Sequence, residues 1–515
     1  MITCEIFQSL NELEQWRNKQ TSKICFVPTM GSLHHGHGEL IKQAKESNEN
    51  KLCKVLVSIF VNPLQFSANE DFEKYPRNLA KDSELAFQYG ADAIWSPSLN
   101  DLFPNGEEEH FQIRVPSFLK SNLCGAKRNN HFDGVASVIL RLLISTKPHL
   151  LILGEKDWQQ LIIIRNLLKD LKLAIKIKSV ATVRDEDGLA TSSRNSYLSS
   201  AERLKAIALP KILEKAFKEN QEGKPPHLQK LISELKQKGL DVEYLEVVDP
   251  YRMQNIKNKT HFCLLAAAVH CGRTRLIDHK FLMKRQPIVA IDGPAGAGKS
   301  TVTKAFAQKM GLTYLDTGAM YRAVTFLLNQ KDIAPNDHIE IRNILMGLSI
   351  RFENSPKGTQ KVILNEVDVT EKIRSPEVTS LVSKFAAEKP IREFLTNQQQ
   401  NMGKKGGLVA EGRDVGTTVF PDAELKIFLT ASSRERARRR SIDLKEQGFV
   451  VPKIEDLEKE ITTRDLKDSN REISPLIKAK DAFELLSDGM SIEEVVSEII
   501  DLFRSKVPNE VWPNP

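Results

Sequence analysis

Two short stretches of this 515-residue chain carry side chains suited to phosphate chemistry. The first, "VPTMGSLHHGHGEL", sets His34 and His37 in HxGH spacing just after an apolar run. Residues three apart at a helix start can face one anion, where free backbone N–H groups also point. Two imidazoles there can donate hydrogen bonds to phosphate oxygens and stabilise charge building up at phosphorus. Taken alone, a histidine pair reads first as helix capping or core packing. The second stretch, "GPAGAGKS", fits GxxxxGK[ST]. In that pattern Gly293, Pro294, Ala295, Gly296, Ala297 and Gly298 curl backbone N–H groups around phosphates, and Lys299 reaches the β and γ oxygens. The Ser300 hydroxyl can take Mg²⁺, and Thr301 follows in the same helical turn. This loop specifies a nucleoside triphosphate and leaves the acceptor open.

Elements of the right type surround both stretches. "KICFVPTMG", "LCKVLVSIFVN", "ADAIWSP" and "PHLLILGEKD" are short, apolar and stopped by Gly, Pro or Asn, with helical patterns between them. That alternation predicts a parallel sheet covered on both faces, which binds ligands at the carboxyl ends of its strands. Near residue 180 the pattern changes. "VATVRDEDGLATSSRNSYLSSAERL" predicts a helix capped at Ser199 or Ser200, and "CLLAAAVHCGRTRLIDHKFL" supplies further strands. The short "MKR" before Pro287 reads as a linker. From Ile288 a strand–loop–helix order restarts, and "LSIRFENSPKGTQKVILNEVDVT" alternates like a small antiparallel insert. The expected domains are 1–180, 181–282 and 288–515.

The formal net charge of +7 is modest for this length and suits small anionic substrates. Aromatic–basic interleaving and a charged tail, the marks of a nucleic-acid binder, are missing. No apolar run reaches membrane-span length, and the N-terminal stretch lacks signal-peptide features, so a cytoplasmic location is expected. Six cysteines without a CxxC pair predict reduced thiols.

Three more ordered stretches, "SIFVNPLQF", "GEKDWQQL" and "DGLATSSRNSYL", extend the HxGH pattern; "YPRNLAKD", "NHFDGV" and "RLIDHK" support them. Together they resemble pantothenate synthetase (pantoate–β-alanine ligase), over about Ile2 to Leu282. The resemblance implies a Rossmann-like HxGH nucleotidyltransferase-type domain with a smaller α+β C-terminal subdomain. It also implies ATP, pantoate and β-alanine as substrates, and a dimer through this half. It assigns ATP to Thr29, Met30, Gly31, Ser32, Leu33, His34, His35 and Gly36, with His37 as proton donor and His34 assisting. Gly154, Glu155, Lys156 and Asp157 would contact the nucleotide, Val183 the adenine, and Thr191, Ser192, Ser193 and Arg194 the phosphates. Gln65 and Gln160 would hold pantoate, with Asn62 beside them. Two positions depart from the usual pattern: Asn130 precedes His131 where glycine is common, and Gly38 sits in the first helical turn, weakening it by up to ~1 kcal/mol.

After the glycine loop, "LDTGAMYR", "DVTEKIRSPEVTSLVSKFAAEKPIREFL", "AEGRDVGTTVFPDAELKIFL" and "TRDLKDSNREISPLIKAKDA" are similar to bacterial cytidylate kinase, over about Ile288 to Leu502. This implies a P-loop nucleoside monophosphate kinase α/β domain that phosphorylates CMP or dCMP. Arg322, Arg413 and Arg471 would hold the CMP phosphate, and Ser383, Arg392 and Asp414 the cytosine edge. Arg464 and Asp468 would hold the ribose, and Thr317 stands where serine is common. "SSRERARRR" reads either as a lid over ATP or as a solvated helix face. The expectation is one enzyme with two independent active sites; the competing reading makes one half a non-catalytic nucleotide-binding module.

Overall fold

Short runs of buried Val, Ile, Leu and Phe become the strands of two parallel sheets, as runs buried on both faces must. The computed structural model describes residues 5–47, 53–67, 70–106, 109–256, 261–354, 360–446, 448, 450–471 and 473–515. It divides into two units, residues 1–284 with 508–513, and residues 285–507 with 514–515. Assignment of 508–513 to the first unit departs from the expected boundary, which leaves the whole C-terminus with the second.

In the first unit, strands β1 (Glu5–Phe7), β2 (Lys23–Thr29), β3 (Cys53–Ile59), β4 (Ala93–Trp95), β5 (Leu150–Gly154) and β6 (Lys176–Val180) form a parallel sheet in the order β1-β4-β3-β2-β5-β6. The order reverses at β2, so the carboxyl ends of β2 and β5 open the crevice in which such sheets bind ligands. Helix His35–Glu46 starts there. An added Cβ on its Gly38 would lie 2.4 Å from the Tyr89 ring, which accounts for a glycine in that turn. Ser199 caps the helix Ser200–Ala206 through a reciprocal box with Glu202. Beyond it, β7 (Asp241–Val248), β8 (Phe262–Cys271) and β9 (Thr274–Met283) form an antiparallel sheet.

The expectation of reduced thiols fails at one place. Cys25 and Cys53 lie on the neighbouring strands β2 and β3, and a disulfide joins them with 6.3 Å between Cα atoms. Sequence spacing cannot reveal a pairing that only strand adjacency creates. Cys124 and Cys271 are buried, and Cys4 lies outside the described residues.

The expected linker all but vanishes. Met283 ends β9, and Arg285 already belongs to the second unit, paired with Glu424 at 2.8 Å and Asp422 at 3.1 Å. The second unit's parallel sheet comprises β10 (Ile288–Asp292), β11 (Thr313–Asp316), β15 (Leu408–Gly412), β16 (Leu425–Thr430) and β17 (Phe483–Leu486) in the order β11-β15-β10-β16-β17. The expected insert is antiparallel, from β12 (Ile350–Asn354), β13 (Gln360–Leu364) and β14 (Val367–Asp368). β10 is buried along its length at the centre of its sheet and delivers the glycine loop to the sheet's carboxyl edge. No helix among the described residues is long and apolar enough to cross a membrane.

Two candidate active sites

A cavity of about 1120 Å³ opens at the carboxyl ends of β2 and β5. Thr29, Met30, His34, Gly36, His37, Asn62, Gln65, Gly154, Lys156, Asp157, Gln160, Val183, Thr191, Ser192, Ser193 and Arg194 all line it. Thus residues far apart in the chain converge as the motifs anticipate. Five others do not line it. Ser32 and Leu33 donate their backbone N–H groups to the buried Asp82 carboxylate at 2.9 and 2.7 Å, which holds the turn through Gly31. His35 bonds Thr191 Oγ1 at 3.0 Å, tying the first motif to "DGLATSSRN". Glu155 is fully buried, and Ser179 Oγ donates to its carboxylate at 2.7 Å.

His37 is held in one tautomer. Its Nδ1 accepts from the His34 backbone N–H at 3.3 Å, so the ring proton sits on Nε2. The His34 and His37 rings lie 4.1 Å apart between centroids. Burial, then the neighbouring Lys156 and His35 charges, push His34 down to about 4. Burial, then His34 and Lys156, hold His37 well below the ordinary imidazole range. Both rings are neutral donors near pH 7, beside Lys156, whose own pKa is lowered by desolvation.

The residues expected to hold pantoate are also fixed by their neighbours. Asn62 Nδ2 donates to Gln65 Oε1 at 3.2 Å and to the Gly134 carbonyl at 3.3 Å. Arg128 Nη1 lies 3.0 Å from His131 Nε2, and arginine only donates, so that nitrogen accepts and Nδ1–H donates to the Gln65 carbonyl at 2.8 Å. Asn130, ahead of His131, has a left-handed backbone with φ of 60°. Glycine adopts that conformation freely and asparagine tolerates it. Arg194 is paired with Asp71 at 2.8 Å, and Thr191 Oγ1 donates to Asp185 at 2.6 Å. Asp71, Asp82, Asp185, Arg128 and His131 are supporting residues that the motif reading missed.

These buried imidazoles make the first unit acid-sensitive. Burial, then Arg128, pushes His131 down to about 4, like His34. An unfolded histidine titrates near ~6.5, so below that pH the unfolded chain binds more protons. The stability each ring contributes is complete above that pH and falls by about 1.4 kcal/mol per pH unit toward pH 4. Urea unfolding followed by tryptophan fluorescence checks this, because Trp16, Trp95, Trp158 and Trp512 all belong to the first unit. The midpoint should fall steadily from pH 7 to 4.5, and His131→Gln should flatten the slope; a level midpoint would contradict it.

In the second unit Gly298 has φ of +80°, as the loop-to-helix turn requires, and Lys299 Nζ donates to the Gly293 and Pro294 carbonyls at 2.8 Å each. Asp292, at the end of β10, accepts from the Val415 and Gly416 N–H groups at 2.8 and 2.7 Å. It pins the "GRDVG" turn against the glycine loop; burial raises its pKa to about 6. Ser300 Oγ and Tyr314 OH both donate to Glu411 Oε1 at 2.6 Å, while Glu411 Oε2 is buried without a partner. Thr317 Oγ1 donates to the Glu411 carbonyl at 2.7 Å. An unpartnered carboxylate oxygen beside the loop serine suits a hard cation bound mainly by phosphate and water.

The predicted CMP-binding arginines form a cationic cluster. Arg413 and Arg471 share the buried Asp468, Arg413 at 3.2 Å. Burial, then Arg392 and Arg413, lowers Arg471 to about 10. Burial, then other arginines of the cluster, likewise lowers Arg322 and Arg464, and burial lowers Arg413. Charges that depress one another this way are relieved by an anion among them. Arg392 is buried, donates to Asp414 Oδ2 at 2.5 Å, and lies 5.4 Å from the Tyr321 ring centroid; its Nε–H has no partner. Ser383 is half-buried on the helix Pro376–Phe385. In the arginine run, Arg436 and Arg439 donate to the glycine-loop carbonyls of Ala295 and Ala297 at 3.2 and 3.4 Å. Arg438 is exposed and paired with Glu435. The helix therefore presents one arginine face to the loop and another to solvent.

Comparison with known proteins agrees with this division. Residues 5–281 match the family described as pantoate-beta-alanine ligase, and residues 289–505 match cytidylate kinase. A bifunctional pantoate ligase/cytidylate kinase of Prochlorococcus marinus strain NATL1A is 58% identical over 511 residues, covering 99% of each chain. One from strain NATL2A is 59% identical over the same length and shares of each chain. A pantothenate synthetase structure from Thermus thermophilus is 33% identical, covers 54% of this chain and 98% of its own, and has a TM-score of 0.49. The chain belongs to the bifunctional pantoate ligase/cytidylate kinase family.

Proposed function

We propose that the chain condenses pantoate with β-alanine in its first unit and phosphorylates CMP or dCMP in its second, each at the expense of ATP. The observation that carries this reading is that each motif set converges on its own phosphate site: neutral histidines with Lys156 and Arg194 in one, the glycine loop with four arginines in the other.

In the ligase, Gln65 and Gln160 hold pantoate, and the Lys156 and Ser192–Arg194 side of the cavity holds the triphosphate. The pantoate carboxylate attacks the α-phosphorus of ATP, and pyrophosphate leaves. His34 and His37 donate hydrogen bonds to oxygens that gain charge in that step. The β-alanine amine then attacks the activated acyl carbon, an amide forms, and AMP leaves with the bonding electrons. Adenylation is needed because a free carboxylate offers only a poor leaving group.

In the kinase, a CMP phosphate oxygen attacks the γ-phosphorus and ADP leaves. Such transfers rest on positioning and positive charge, which Lys299 and the arginine cluster provide. Asp414 accepts from the cytosine amino group, and Arg392 donates to a ring acceptor. Ser300 and Glu411 would hold Mg²⁺, which when bound neutralises phosphate charge. Glu411→Gln should raise the Mg²⁺ concentration for half-maximal kinase rate by about tenfold. An unchanged Mg²⁺ dependence would remove Glu411 from that role.

Product analysis tests the whole reading. With ATP, pantoate, β-alanine and CMP all present, pantothenate, AMP, pyrophosphate, CDP and ADP should form. Omitting CMP should stop only CDP and ADP, and omitting pantoate should stop only the ligase products. Failure of either set to form would restrict catalysis to one half.

A further inference from the structure

The C-terminal residues 508–513 belong to the first unit, although they follow the last helix of the second, Ile492–Lys506. They lie beyond both family matches, which end at 281 and 505. Their contacts are specific. The backbone N–H groups of Asn509 and Glu510 donate to the two oxygens of the buried Glu155 carboxylate at 2.8 and 3.0 Å, and Asn509 Nδ2 adds a bond at 3.1 Å. Asn509 Nδ2 also reaches the Ser179 carbonyl at 2.9 Å. A buried carboxylate is tolerated only when donors saturate it, and here the tail supplies three. The Glu510 carboxylate in turn accepts from the Thr182 N–H at 3.1 Å and from the Thr182 hydroxyl, and lies 3.5 Å from His279 Nε2. Val511 packs against the core of the first unit.

The two anchored segments are the ones that line the nucleotide side of the cavity. Glu155 sits between Gly154 and Lys156, and Thr182 precedes Val183; those neighbours, with Thr182 and His279, form the wall. We propose that Asn509 and Glu510 are positioning residues of the ligase, fixing the Gly154–Asp157 turn and the Thr182–Val183 backbone so that they recognise ATP. The end of the chain thereby completes a site whose other residues lie in its first 280. The inference rests on the ligase reading.

The test compares full-length Asn509→Ala/Glu510→Ala with the parent chain. The KM for ATP in pantothenate formation should rise about tenfold, the scale of losing a charged hydrogen bond. The KM values for pantoate and β-alanine, and kcat/KM for CMP phosphorylation, should stay within about twofold, a change too small to match a lost hydrogen bond. Glu510→Gln keeps an acceptor for Thr182 and should stay near the parent. An unchanged ATP KM, or a fall in kcat alone in proportion to lost folded protein, would overturn the proposal. If the double variant loses the ligase fold, Glu510→Ala alone is read in the same way. A parent chain that makes no pantothenate would instead count against the ligase reading, before the tail is tested.

Discussion

Replacing Lys299 with alanine should lower CMP phosphorylation by about 10³-fold, the scale of losing one preorganised charge from a dry site. Pantothenate formation by the same protein should not change. Lys299 is buried, and burial followed by Arg413 drives its pKa down. A cation held in so dry a site interacts strongly with transferring phosphate, since little water screens it. The side chain also braces the loop, bonding the carbonyls of Gly293 and Pro294. Lys299→Arg should not rescue, because a wide planar guanidinium does not fit where a compact ammonium points into a tight loop. Circular dichroism and thermal unfolding compared with the parent check that the variant's second unit is still folded. A variant retaining a tenth or more of the parent's kinase rate would remove Lys299 from the transfer step.

What could be read from the residues alone follows from the range of the interactions involved. The glycine loop was legible because strand, loop and helix are contiguous, so Gly293 to Thr301 declare themselves within one local pattern. Asp292 was not: it reads as the last residue of a strand, and its partners Val415 and Gly416 are more than a hundred positions away. The arginine run was visible as charge, but which arginines turn inward depends on how the helix is rotated in the fold, which places Arg436 and Arg439 on the loop and Arg438 in solvent. In the first unit the motifs pointed to the cavity wall, while Asp82 and Asp185 act behind it and His131, itself in the wall, holds the Gln65 carbonyl, through contacts that carry no sequence signal. The disulfide and the C-terminal segment share this character. Cys25 meets Cys53 because their strands pair, and "PNEVWP" has no periodicity that would predict its docking.

His37→Ala should lower pantothenate formation by about 10² to 10³-fold, as loss of one donor to developing negative charge does elsewhere. CMP phosphorylation should be untouched. The loss should fall on adenylation, measured as pantoate-dependent exchange of pyrophosphate into ATP. The role follows from the tautomer: with Nδ1 accepting from the His34 N–H, only Nε2–H is available to a ligand. The group acts as a neutral hydrogen-bond donor, since burial keeps its pKa well below the ordinary range. This differs from an imidazolium acid in a way that pH distinguishes. A charged acid would make kcat/KM for ATP fall as pH rises through about 6.5, because that ratio reports the free enzyme's ionisations. A neutral donor predicts no such fall between pH 6.5 and 8. His37→Gln, which retains an N–H donor, should recover part of the adenylation rate. A descending limb near pH 6.5 that disappears in His37→Gln would instead assign His37 the charged-acid role and reject the tautomer argument.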